Sequence, residues 1–113
     1  MPGEHHSIGR LTADLTPILI ASRRTVVKTL IVCNTDTSNQ TYNLLHVPAD
    51  ESSADDHALF FNTAIKSKTT QAVDTYIYLN VGDRIEALAS VAGKIAMSLY
   101  SIDYDSYVQG ARL

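Results

Sequence analysis

The sequence predicts an all-β protein: a single β-sandwich, jelly-roll or immunoglobulin-like, of about seven to eight antiparallel strands with extended terminal arms. Three observations point there. Apolar residues recur with a period of two through most of the chain, the spacing that sends alternate side chains to opposite faces of a strand. Clusters of turn formers break that pattern about every ten residues. Helical spacing is weak nearly everywhere. The 113 residues, 45% of them apolar, suit one domain with one modest core.

Residues 1–15 carry little pattern and read as an N-terminal arm, ahead of a sandwich domain over 16–104. Thr25–Asn34 (TVVKTLIVCN) is a β-branched run and a strand. Strict alternation puts Val27, Thr29, Ile31 and Cys33 on one face and Val26, Lys28, Leu30 and Val32 on the other. Both faces are largely apolar, so the strand is expected to be covered on both sides. Thr35, Asp36, Thr37, Ser38 and Asn39 form a turn, and Gln40–Val47 (QTYNLLHV) returns as the second arm of a hairpin. Residues 48–56 (PADESSADD) are the most polar stretch and form a surface loop. A helix over 53–61 competes weakly with loop followed by strand, and Ala58–Ile65 resumes the strand pattern.

Residues 73–81 alternate cleanly, with Val73, Thr75, Ile77, Leu79 and Val81 on one face and Asp74, Tyr76, Tyr78 and Asn80 on the other. The turn at 80–83 has Gly82 available for a positive φ. Residues 84–90 form a strand, Ala92 and Gly93 a tight turn, and 94–103 the last strand, with Ile95, Met97 and Leu99 inward. Residues 105–113 (DSYVQGARL) are a C-terminal tail. Both ends are of the kind that order against a neighbour.

Composition excludes several functions. The net charge is −3 with both signs mixed along the chain, without the clustered positive surface that nucleic acid demands. Apolar stretches fall far short of the roughly 20 residues of a membrane span. The first six residues lack a basic stretch followed by an apolar one, so no signal peptide is expected. Cys33 is the one cysteine and lies in an apolar run, where a buried structural thiol is the expectation and a disulfide framework is impossible.

The chemistry-bearing residues give no catalytic constellation. His46, His57 and Asp55 or Asp56 have zinc-ligating chemistry, but their spacing does not demand a site. Asp50, Glu51, Asp55 and Asp56 lack the spacing and glycine of a calcium loop. There is no nucleophile elbow and no phosphate loop. No cofactor, no metal and no enzymatic activity are expected. The tyrosines say more, because there are six against two phenylalanines and no tryptophan. Tyrosine is enriched at interfaces, and the candidate interface comprises Val26, Lys28, Leu30, Val32, Tyr76, Tyr78, Tyr100 and Tyr104.

The run TVVKTLIVCN, the HVPA at 46–49, the AL at 58–59, LNVGDRIEALAS at 79–90 and KIAMSLYSID at 94–103 together resemble short virion structural proteins of tailed bacteriophages. In these a VVK-I-V-CNT strand, a VP hairpin end and an L-x-x-GD-x-I-x-A-x-AS hairpin recur. The acidic loop at 50–57 and the long N-terminus depart from that pattern. The resemblance implies a small β-sandwich, often a homotrimer, located in the virion after assembly in the host cytoplasm. Its partners would be itself and the major capsid protein or other virion proteins, with no nucleic acid and no membrane. The role it implies is capsid decoration (cement) on the head; the alternative is a tail, fibre or baseplate component that binds a host receptor or glycan.

Overall fold

In a computed structural model the described residues are 4–105, with side chains from Arg10 onward. The alternating runs become strands: β1 (Glu4–Arg10), β2 (Thr16–Ile20), β3 (Thr25–Asn34), β4 (Gln40–Val47), β5 (Ala58–Ile65), β6 (Thr70–Leu79), β7 (Arg84–Ala89) and β8 (Ile95–Asp103). They form two four-stranded sheets, ordered β1-β8-β3-β6 and β2-β7-β4-β5, with every pairing antiparallel.

The pairings β4–β5, β3–β6, β2–β7 and β1–β8 are those of one long hairpin doubled back on itself. The cross-pairings β3–β8 and β4–β7 roll that hairpin into two stacked sheets. This winding is the eight-stranded jelly roll, which settles the choice between the two sandwich types.

Side chains from both inner faces fill the space between the sheets. Val27, Leu30 and Val32 of β3 and Leu99 and Met97 of β8 meet Tyr42 and Leu44 of β4 and Ile85, Ala87 and Ala89 of β7. All are at most 1% exposed. The interior is therefore packed, with the aromatic ring of Tyr42 tilted against Phe60 at 6.1 Å.

Several expectations need correction. Within the expected N-terminal arm, the described residues from Glu4 join the domain: Glu4–Arg10 adds a strand beside β8, with Glu4 opposite Ser101 and Arg10 opposite Ala96, and Leu11 is buried in the core. Its polar sequence hid it, because an edge strand needs only backbone partners. β2 was hidden by Pro17, which is tolerated because β2 is also an edge. The segments Thr25–Asn34 and Gln40–Val47 are not a hairpin, since β3 and β4 belong to different sheets. The turn at 35–39 spans the sandwich instead, held by Asn34, whose Nδ2 donates to the carbonyls of Ser38 and Ile65 at 3.0 Å each.

A further correction concerns the faces of β3. Register slips between Val27 and Thr29 against both neighbours: against β8 Lys28 is the extra, bulged residue, whereas against β6 the extra residue lies on β6. The bulge shifts the phase of the alternation, and Val27, Leu30 and Val32 all enter the core while Thr29, Ile31 and Cys33 lie half-exposed on the outside. Cys33 is thus not a buried thiol. The weak helix alternative at 53–61 reduces to one 3-10 turn, Asp55–His57. The tail expected at 105–113 lies outside the described residues beyond Asp105.

Candidate functional site

The expected interface residues separate into two groups. Val26, Leu30 and Val32 are 0% exposed within the single chain and are corrected from surface to interior. Leu30 and Val32 belong to the core between the sheets. Val26 precedes the bulge and so faces outward, opposite Tyr78 and Ile102. Its cover comes from the aromatic residues around it, not from a second chain.

The remaining five collect on one surface, the outer face of the β1-β8-β3-β6 sheet. Tyr76 and Tyr78 come from β6, Lys28 from the β3 bulge, Tyr100 from β8, and Tyr104 follows β8. Tyr78 and Tyr104 stack edge to face with centroids 4.9 Å apart and planes at 74°. The Arg24 guanidinium lies 5.3 Å from the Tyr104 centroid and pairs with Asp105. That carboxylate beside it raises the affinity of Arg24 for its proton still further. Lys28 Nζ sits 5.5 Å from the Tyr76 centroid, a cation–π arrangement made possible by the bulge that turns Lys28 outward.

Tyr76 is 55% and Tyr100 40% exposed, while Tyr78 and Tyr104 are half-buried. The first pair is the exposed part of this face, and the second pair packs edge to face within it. Thr29 lies between Tyr100 and Asp74 across the sheet, and Ile31, half-buried, lies between Ser98 and Ala72 further along it. A surface of exposed aromatic rings flanked by Lys28, Arg24 and the exposed Asp74 suits another protein surface or a sugar face.

The histidines and carboxylates disperse. His46 Nε2 is 3.0 Å from Asp83 Oδ2, whereas His57 turns to Glu51 at 3.2 Å. Among the described residues no three His, Cys, Asp or Glu side chains come together as a metal-ligating group. Arg84 Nη2 donates to the Glu51 carbonyl at 2.9 Å and Ser53 donates to Glu86, so the polar loop is tied down across β7. Leu45 and Val47, opposite Glu86 and Arg84, are buried outside the central core on the face this loop crosses.

Asp83 is a joint that the sequence reading missed. Its carboxylate accepts from the backbone N–H of Asn80 at 3.0 Å and of Ala49 at 3.1 Å, beside its contact with His46. Burial pushes its pKa up, but these hydrogen bonds outweigh that and leave it below the usual carboxylate range. The turn at 80–83 and the end of β4 are thereby locked together. The spacing of a glycine before an aspartate in a turn was the available signal.

No protein-family model matches the chain, and no curated protein is similar to it in sequence. Among solved structures the chain is similar to the coat protein of Tobacco streak virus, at 14% identity and a TM-score of 0.48, over 89% of this chain and 83% of that one. A dimer of the same coat protein gives 12% identity and a TM-score of 0.46, over 89% and 84%. A structure of infectious bursal disease virus, Gx strain, gives 10% and 0.43, over 89% of this chain and 29% of that one. Likeness at this level transfers no residue and no role.

Proposed function

We propose that the chain is a non-enzymatic structural subunit of a virus particle, and specifically a decoration protein that cements the head of a tailed bacteriophage as a homotrimer. The observation that carries this reading is the exposed aromatic face of the β1-β8-β3-β6 sheet. It presents Tyr76 and Tyr100 on a rigid support while the interior is filled. Jelly rolls serve as capsid, lectin and cupin domains. A ligand-holding barrel needs a large central cavity, and here the centre of the sandwich is occupied by Tyr42, Leu44 and Ile85. Contact with other chains through an outer face is what such a body offers.

The fold supports one surface over another as the place of attachment. With Glu4–Arg10 built into a sheet, that segment supports the domain and does not reach out to a shell. The tyrosine face takes over as the gripping surface, towards sister copies and the major capsid protein.

Electron microscopy of the purified particle tests the reading: density for this chain on the head lattice, in threefold clusters, is the expected result. Light scattering at micromolar concentration is expected to give a trimer, reduced to monomer by Tyr76→Ser with Tyr100→Ser. A second reading is favoured by the same two exposed tyrosines, which would stack on a host glycan from a tail tip or baseplate. Saturable binding of the isolated protein to host cells, lost in the double variant, would establish it in place of decoration.

A further inference from the structure

The sandwich opens at the end where the turn after β2 meets β8. Leu19, Ala21, Arg23, Thr25, Ser101 and Asp103 are among the residues lining a cavity there of about 120 Å³. Ser101 stands opposite Val27 of the core, so its side chain enters the space between the sheets. It is 3% exposed, and its Oγ is the one buried side-chain polar atom without a hydrogen-bond partner among the described residues. An unmade hydrogen bond of this kind is destabilising, and alanine would avoid it. A hydroxyl kept there has a use if something arrives to meet it.

Size and charge narrow the occupant. The cavity is well above the roughly 10–15 Å³ that one water needs and well below the roughly 300 Å³ at which pockets for whole metabolites begin. It suits a group the size of one short side chain. Arg23 Nη1 donates to Asp103 Oδ2 at 3.1 Å, so the charged groups of the lining cancel, and neither a cation nor an anion gains from entering. A neutral group with both a donor and an acceptor does. Ser101 Oγ can accept from its N–H or donate to its oxygen, the Arg23–Asp103 pair supplies the complementary donor and acceptor, and Leu19 and Ala21 offer an apolar wall to a short alkyl stem.

We propose that this cavity binds a primary carboxamide, carried either by a free small amide or by an Asn or Gln side chain of a neighbouring protein chain. The site is separate from the tyrosine face and does not depend on the function assigned to it.

Titration of the isotope-labelled full chain with acetamide, acetate and methylammonium, followed by amide chemical shifts, tests the site. Acetamide is expected to give saturable shifts at Ala21, Ser22, Thr25 and Ser101, with no such response to the two ions. Ser101→Ala is expected to weaken acetamide binding about tenfold, the loss of one hydrogen bond, while its melting temperature stays equal or rises. Ser22→Trp, at an exposed position beside the cavity, is expected to block access without touching the core. A capped glutamine peptide binding more tightly than acetamide would assign the group to a protein chain, and equal or weaker binding would assign it to a free amide. Equal response to all three probes, no saturable response, or undiminished binding by both variants would overturn the proposal and leave a water-filled cleft.

Discussion

Asp83 shows how one buried carboxylate makes two distant sequence motifs a single piece of structure. Residues 46–49 and 80–83 look unrelated along the chain, yet His46, Ala49 and Asn80 all meet at its two oxygens. Replacing Asp83 by Ala leaves two backbone N–H groups without their acceptor and is expected to cost about 3 kcal/mol in a denaturant melt. Glu86 behaves alike: burial pushes its pKa up, but hydrogen bonds from Ser53 and Arg84 hold it below the usual range. For both groups the folded value lies under the unfolded one, so their stabilisation is present above about pH 4 and is lost as pH falls through the folded values. Melting temperatures recorded between pH 7 and pH 3 are expected to drop on the acid side, with a shallower slope in Asp83→Asn. The neighbouring glycine gives a sharper comparison. Gly82 has φ +90 and a Cβ there would lie 2.9 Å from that of Ala49, whereas Gly93 has φ +80 and open space around it. Both alanine variants are strained, each by more than about 1 kcal/mol, and Gly82→Ala is expected to melt lower than Gly93→Ala.

Strand β3 marks the limit of what alternation reveals. Its ends, and those of β4 and β5, were legible to the residue, because β-branched runs between turn clusters have few other uses. The assignment of its faces failed at one residue, since nothing in TVVKTLIVCN announces a bulge at Lys28. That single insertion decides which side chains form the core and which form the tyrosine face. Leu30→Ala is therefore expected to cost about 2–5 kcal/mol, while Ile31→Ala, next to it on the outer face, costs less than about 1 kcal/mol. Comparable losses at the two positions in urea unfolding would show that the phase is wrong. The tyrosines were legible as a group because aromatic residues on the polar side of a strand stand out against its pattern. Ser101 was not, because its unpaired hydroxyl arises from how β8 meets the turn after β2. β1 was invisible for a related reason: its place is fixed by the backbone of β8.

At the scale of the molecule, the doubled-hairpin winding leaves β4–β5 as the one pairing between consecutive strands among the described residues. Every other pair must close a long loop before any contact rewards it, and refolding in stopped-flow is expected in the millisecond-to-second range. Microsecond refolding would mean that local contacts dominate. The same winding brings the beginning and end of the described chain side by side, with Glu4 opposite Ser101 at one end of the β1–β8 ladder and Arg10 opposite Ala96 at the other. A force applied between Glu4 and the end of β8 therefore loads the hydrogen bonds of that ladder one at a time, like a zip. The fold is expected to yield more easily when drawn apart by its ends than when load enters broadside through a sheet, where many bonds share it at once. In the role proposed above, a subunit held by its tyrosine face would take internal pressure in the second way.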